Sequence, residues 1–371
     1  MTKKNEVNYK IFSNKLLDWY DVNKRDLPWR VKANQNINPY HILISEFMLQ
    51  QTLVVTVIPY FLRFINKWKT IDDLAKANFE EVAISWSGLG YYRRAKNLHE
   101  TAKIISRDYC GDIPRKKEIL LSFPGIGDYT ASAIMAIAFN IQSNVVDGNI
   151  ERIFSRLYKI EKPLEKSKKF IKMVSEKHLP GSRHGDYAQA LMDLGSLICV
   201  PNKPKCGICP MLFYCKVGNK KIASLYPKRL PKKIKDQRYG IFFILINQNK
   251  EILFYTNKKD GLFVNMDLLP SLGWYQSKFF LDHNPDMITE EIALFNFKWK
   301  IFQKKLFHVF SHFKLSCTIA YYQLDNNSCK NFLLDEKTFR FVNKNDFNKL
   351  ALPTLMKKII KIIEDENLIN Y

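Results

Sequence analysis

Apolar positions recur at helical spacing almost continuously up to about residue 215. Ile11, Phe12, Leu16, Trp19 and Tyr20 begin the pattern. The runs HILISEFMLQQ, FEEVAISW, RRAKNLHETAKIISRDY, KKEILLSF, DYTASAIMAIAF, NIERIFSRLY and GDYAQALMDLGSLIC repeat it, punctuated by SGLGYY and FPGIG. The spacing predicts an all-α domain over residues 1–215. A basic linker is expected over 216–236: Lys216 to Lys235 hold eight Lys or Arg, no acid and two prolines. Such a stretch reads as exposed and extended, either lying along a phosphate backbone or serving as a solvated tether. The period then changes. RYGIFFILINQNKEILFY reads as two β-runs joined by a turn, KLFHVFSHFKLSCTIAYYQL alternates β-branched and aromatic residues, and ALPTLMKKIIKIIEDENL closes as an amphipathic helix. An α+β second domain is expected over 237–371. The fold class is therefore multidomain, all-α followed by α+β.

Charge changes the picture. Against 36 Asp and Glu stand 58 Lys and Arg, a formal net charge of +22 over 371 residues. That imbalance suits a polyanion, nucleic acid before a membrane surface, although a composition rich in Lys, Ile and Asn inflates it. The N-terminus has no apolar signal region and no uninterrupted apolar run is long enough to span a bilayer, so a cytoplasmic protein without membrane contact is expected. A monomer is the default expectation.

Four of the seven cysteines fall in Cys199-x6-Cys206-x2-Cys209-x5-Cys215. Thiols this close in sequence converge without long-range folding, and Pro201, Pro204 and Pro210 keep the segment from continuing as helix. Spacing allows a four-cysteine zinc site or a cubane iron–sulfur cluster. Lys203 and Lys205 lie on the same loop and could face phosphates. In Leu121-Ser122-Phe123-Pro124-Gly125-Ile126-Gly127, two glycines between helices let backbone N–H groups approach an anion, helped by the N-terminus of the next helix.

Two separated carboxylates complete the candidate chemistry. Glu46 is flanked by Ile42, Leu43, Ile44, Phe47, Met48 and Leu49, surroundings that would raise its pKa into the range of a general acid, although a helical Glu is more often exposed. Asp147, in VVDGNIERI, is either a second catalytic carboxylate or simply the N-cap of the following helix.

Taken together, FPGIG, VVDGN and the C-x6-C-x2-C-x5-C spacing resemble the endonuclease III, or helix-hairpin-helix, superfamily of DNA glycosylases. RDLPWR (25–30), SEFMLQQT (45–52), GLGYYRRAKNLH (88–99), FPGIGDYTA (123–131), VVDGNIERI (145–153) and QALMDLGSLIC (189–199) narrow the resemblance to its adenine DNA glycosylase (MutY) branch. The resemblance implies an enzyme that flips adenine, mispaired with 8-oxoguanine or guanine, out of double-stranded DNA and hydrolyses its glycosidic bond. Glu46 would protonate the base, Asp147 would stabilise the sugar cation, and Tyr129 and Asn149 would support Asp147 and the water. Arg25, Leu27, Trp29, Arg30 and Gln189 match positions lining the adenine pocket. Gln51 and Tyr91 match residues wedged beside the oxidised guanine, and Phe310-Ser311-His312 a loop that senses it. Gly125 and Gly127 would hold the DNA backbone, and the four cysteines one [4Fe–4S] cluster that organises a DNA-contacting loop. Trp29 and Tyr91 also fit plain core aromatics, and Gln51 a surface residue. The resemblance extends to a Nudix-like C-terminal domain lacking a Nudix box.

Tyr129 stands where strand-cleaving members of the superfamily carry lysine, and a phenol cannot form an imine. A lyase for oxidised pyrimidines is the alternative enzyme; a helix-hairpin-helix module without chemistry is the alternative of another class. The segment from Arg30 to Glu46 is longer than usual for the family, and GLFVNMDLLP (261–270) keeps its pattern only loosely.

Overall fold

The computed structural model describes residues 9–30, 36–220, 222–231, 234–258, 261–275, 297–324 and 339–366. The first part of the longer stretch after Arg30, residues 31–35, lies outside them. The chain divides into two compact units, one of residues 1–77 and 96–232, the other of residues 78–95 and 233–371.

The first unit is helical. Its described helices are α1 (Tyr9–Asn23), α2 (Pro39–Leu49), α3 (Val54–Lys67), α4 (Ile71–Lys76), most of α6 (Arg93–Tyr109), α7 (Lys117–Ser122), α8 (Asp128–Phe139), α9 (Gly148–Leu157), α10 (Leu164–Glu176) and α11 (His184–Leu197). The helix α5 (Phe79–Trp86) belongs to the other unit. α2 starts where Asn38 caps the Tyr40 amide at 3.0 Å and Pro39 takes the first turn, where its missing N–H costs nothing. Tyr40 and every residue from Ile42 to Met48 are buried, so this helix is apolar around its whole girth and enclosed by its neighbours. α8 is buried likewise from Thr130 to Ile137 and packs against α2 and α11.

The basic segment after Cys215 differs from the extended tether its composition suggests. Val217, Ala223 and Tyr226 are buried together, and the Leu164 amide donates to the Lys228 carbonyl at 2.8 Å. Apolar residues spaced between the lysines give this stretch something to bury, so it lies along the helical unit at least to Leu230, whose amide reaches Glu165.

The second unit is built on a mixed sheet. β1 (Asp236–Ile246) and β2 (Ile252–Thr256) form the expected hairpin, antiparallel with Ile246 opposite Ile252. β3 (Asp267–Leu268) pairs β2, and β4 (Ser271–Tyr275) pairs β1. β5 (Lys300–Ile301) and β6 (Leu306–Val309) both pair antiparallel to β7 (Phe313–Gln323), and β8 (Phe339–Val342) pairs β2. β1 and β7 run parallel through eleven partnered positions, Asp236 with Phe313 to Ile246 with Gln323. The closing helix α12 (Thr354–Asp365) lays Leu355, Met356, Ile359, Ile360, Ile362 and Ile363 into the sheet's core. Among the described residues no helix is long and apolar enough to cross a membrane.

Candidate active site and cysteine loop

The apolar enclosure of α2 decides the state of Glu46, which is 4 % exposed. Removing a carboxylate from water penalises its charged form, and burial pushes Glu46 up to about 7; nearby Asp147 adds to the rise, while a hydrogen bond from Tyr129 and the charge of Arg30 oppose it. Its Oε2 is buried with no hydrogen-bond partner, a costly arrangement for a group with no chemical role. The Tyr129 phenol lies well above its usual range, through burial and then the two carboxylates beside it, and so keeps its proton.

Asp147 is the N-cap of α9 and more than that. Its Oδ1 accepts from the Ile150 amide at 2.7 Å and its Oδ2 from Asn149 Nδ2 at 2.8 Å. Burial still raises its pKa against these bonds. Asn149 is held in turn by Arg152, whose Nη2 donates to Asn149 Oδ1 and to the Gly195 carbonyl, both at 2.8 Å. A side chain at Gly195 would meet Asn149 Cβ at 2.6 Å, so α11 needs glycine there for α9 to lie so close. The structure thus brings Glu46, Tyr129, Asp147 and Asn149 together from α2, α8 and the start of α9, with Glu46 buried and the other three half-buried.

Of the remaining positions, Arg25 and Arg30 meet on Asp193. Arg25 donates its Nε to Oδ1 at 2.6 Å, and Arg30 places Nη1 and Nη2 on the two carboxylate oxygens at 2.6 and 2.8 Å. Asp193 is fully buried, and the two guanidiniums hold its carboxyl below the usual range against the opposing effect of burial. Sequence reading missed Asp193; its only signal is an acid on the otherwise apolar face of α11. Leu27 and Trp29 are buried, Trp29 edge-on to Phe61, and Gln189 is buried with its amide on the Gly185 carbonyl.

Gln51 and Tyr91, by contrast, are exposed, and both adopt left-handed backbone, φ 56° and 50°. Side chains rarely accept this conformation, and where they do the strain commonly marks a functional position. Phe310, Ser311 and His312 form the β6–β7 hairpin turn, closed by the Phe310 amide on the Phe313 carbonyl at 2.9 Å. Ser311 and His312 are exposed at its tip, while Phe310 stacks on Phe313 at 4.5 Å and packs against Trp274.

The hairpin between α7 and α8 turns at Gly125, φ 79°, where any Cβ would strike Asn97 and Phe47 at 2.8 Å. Gly127 is exposed, with open space where a Cβ would sit, so the amides starting α8 can be approached from outside.

Cys199, Cys206, Cys209 and Cys215 line one cavity, with Arg156 in its wall. Arg156, 2 % exposed, donates to Cys199 Sγ at 3.3 Å and to the carbonyls of Cys199, Val200, Pro201 and Tyr226. Arg152 Nε reaches the same Cys199 carbonyl at 2.8 Å, so the α9 arginines tie the cysteine loop to the carboxylate site. Among the described residues no three His, Cys, Asp or Glu side chains are grouped to hold a single metal ion. Lys203 and Lys205 are exposed on the loop.

Residues 44–177 match the HhH-GPD superfamily of base excision DNA repair proteins. The adenine DNA glycosylase of Buchnera aphidicola subsp. Baizongia pistaciae is 34% identical over 367 residues, covering 96% of this chain and 98% of the relative. The chain belongs to the adenine DNA glycosylase family. It is accordingly a base-excision-repair enzyme. The adenine DNA glycosylase of Rattus norvegicus is 29% identical, over 95% of this chain and 78% of the rat protein. A thermostable thymine-DNA glycosylase has a similar fold, with TM-score 0.51 and 32% identity over 56% of this chain and 95% of its own.

Proposed function

We propose that the chain is a monofunctional adenine DNA glycosylase that hydrolyses the glycosidic bond of adenine opposite 8-oxoguanine or guanine and leaves an abasic site. The observation that carries this is Glu46: buried, raised to about 7, hydrogen-bonded by Tyr129 and with one oxygen unpartnered. Such a carboxyl holds a proton near neutrality for a base that must leave as a neutral species. Bond breaking puts positive charge on the sugar, and Asp147 supplies the second carboxylate, as in two-carboxylate glycoside hydrolysis. Asn149 and Tyr129 orient Asp147 and the water. With a phenol at 129, no amine at that position can attack the sugar, which argues against the lyase.

Arg25, Leu27, Trp29, Arg30 and Gln189 are read as the adenine pocket, Gln51 and Tyr91 as wedges in the base stack, and the Phe310–His312 turn as the sensor of the opposite base. Gly125, Gly127, Lys203 and Lys205 are read as backbone contacts. The four cysteines are read as the ligands of one [4Fe–4S] cluster: they line one cavity, and the Arg156 guanidinium provides the positive partner that clustered thiolates need. When bound, the cluster supplies a fixed centre that holds the loop carrying Lys203 and Lys205. The chain is read as a cytoplasmic monomer of two functional parts, the helical unit of residues 1–77 and 96–232 and the sheet unit of residues 78–95 and 233–371.

Single-turnover excision on a duplex with adenine opposite 8-oxoguanine, quenched with and without hot alkali, tests the reading. Strand breaks at the adenine only after alkali are expected. Breaks without alkali would establish lyase chemistry instead, and a bound duplex without product would leave a binding module.

A further inference from the structure

The turn between α5 and α6 is fastened to the sheet unit, not merely connected to it. Gly88, Gly90 and Tyr91 all have left-handed φ, 110°, 73° and 50°. The chain there projects sharply and presents Tyr91, 48% exposed. Two hydroxyls from this turn converge on one carbonyl: Ser87 Oγ donates to Leu352 O at 2.9 Å and the Tyr92 hydroxyl to the same oxygen at 3.2 Å. Leu352 is buried in the sheet's core, and the Tyr92 ring packs against that core. The Tyr92 oxygen also accepts the Gly88 amide at 3.2 Å, and Lys357 Nζ, from α12, donates to the Ser87 carbonyl at 3.2 Å. From the other side Arg94, 7% exposed, donates Nη2 to the Leu89 and Gly90 carbonyls at 3.3 and 3.0 Å. Its guanidinium lies over the Trp86 and Tyr91 rings, at 5.3 and 5.4 Å.

An aromatic residue in left-handed backbone costs on the order of 1–3 kcal/mol and persists only where its surroundings over-determine it. Arg94 meets Tyr91 itself, with its amide and Nε on the Tyr91 carbonyl and its guanidinium over the ring, while the flanking Ser87 and Tyr92 are held by the C-terminal part of the chain, 260 and more positions away in sequence. We propose that Ser87 and Tyr92, through the Leu352 carbonyl, are positioning residues by which the C-terminal sheet unit holds Tyr91 in its projecting conformation. The inference rests on the reading of Tyr91 as a wedge. Tyr91 and the Phe310–His312 turn then belong to one body, and discrimination of the base opposite adenine depends on both being carried together. An exposed aromatic inserts between base steps usefully only if it is held rigid, since a mobile ring pays its ordering cost on binding.

The test uses the full-length enzyme and single-turnover excision from duplexes with adenine opposite 8-oxoguanine and opposite guanine. Tyr91→Ala is the reference, expected to reduce the ratio of the two rates. The Ser87→Ala/Tyr92→Phe pair, which removes both donors to Leu352 with little change of shape, is expected to reduce that ratio by about tenfold, the order given by one to two lost hydrogen bonds. Ser87→Thr, keeping a hydroxyl, should retain most of it. Added to Tyr91→Ala, the pair should reduce the ratio no further, because both act through one side chain. If the pair slows both substrates equally and leaves the ratio intact, the positioning role is overturned. If Tyr91→Ala itself leaves the ratio intact, the wedge reading fails first, a different and recognisable result. Should the pair fail to fold, Tyr92→Phe alone gives the same comparison.

Discussion

Glu46→Gln should make the enzyme more stable in alkali while removing its excision activity. In the folded chain Glu46 titrates at about 7, against 4.5 for a free side chain. The unfolded chain therefore releases this proton first as pH rises. Between 4.5 and 7 the native state binds more protons than the unfolded state, so stability falls with rising pH across that window and the loss is complete above it. At 1.36 kcal/mol per pH unit the full loss is about 3 kcal/mol. Glutamine at 46 stays neutral and escapes it. At pH 8 the variant should exceed the parent by about 3 kcal/mol, roughly 6–12 °C in the melting temperature of a domain this size, and at pH 4.5 the advantage should vanish. Asp147, whose pKa is also raised, adds to the rise at Glu46, so the pH dependence of the difference belongs to the carboxyl pair.

The catalytic side has the opposite sign. At pH 7 about half of Glu46 is protonated, where an unperturbed carboxyl would be protonated in only about one molecule in three hundred. Single-turnover excision by the parent should fall about tenfold per pH unit above 7; the variant should be slower by roughly 10²–10⁴ below pH 7, and the gap should narrow above it as the parent loses its proton. Calorimetry at pH 4.5, 6, 7 and 8 and quenched excision over the same range measure both. A melting-temperature difference that does not change with pH would refute the buried-proton argument. Unchanged excision by the variant would refute the general-acid role.

Asp193→Asn leaves the Arg25 and Arg30 guanidiniums without their shared anion; unfolding should become easier by about 3–5 kcal/mol, read by urea denaturation, and excision should slow as the pocket arginines lose their anchor. Gly125→Ala places a Cβ 2.8 Å from Asn97 and Phe47 at a φ of 79°; gel-shift titration should show weaker duplex binding, with a stability loss of roughly 1–3 kcal/mol. Replacing Phe310-Ser311-His312 by Gly-Gly-Gly should lower the preference for adenine opposite 8-oxoguanine over adenine opposite guanine, measured as the ratio of single-turnover rates. Binding should weaken steeply between 50 and 200 mM salt because phosphate contacts dominate, as fluorescence anisotropy on a matched duplex would register.

Much of this was legible in the chain itself, for a local reason. Helical periodicity, the two-glycine turn and the cysteine spacing are encoded within a few residues of one another, and the change of period near residue 237 marks the sheet. The β1–β2 hairpin and α12 were readable from alternation and amphipathy. Even Asp147 announces itself as the N-cap of α9. Other features are properties of neighbours distant in sequence. Glu46 on its helix could have faced water; its proton depends on α8 and α3 packing against α2 and on Asp147 lying beside it. The run Val54 to Ile58 is β-branched, yet it opens α3 because Val57, Phe61 and Phe64 share a face that tertiary packing buries. Asp193 gains its meaning from two arginines more than 160 positions away. Tyr91 and Tyr92 are adjacent in sequence, but one projects into solvent and the other is bonded to Leu352, an assignment made only when residues 78–95 join the C-terminal sheet unit. Local sequence sets backbone preference and the menu of side-chain chemistry; which carboxylate loses its water, and which aromatic is left facing out, is decided by burial, and burial is a property of the assembled chain.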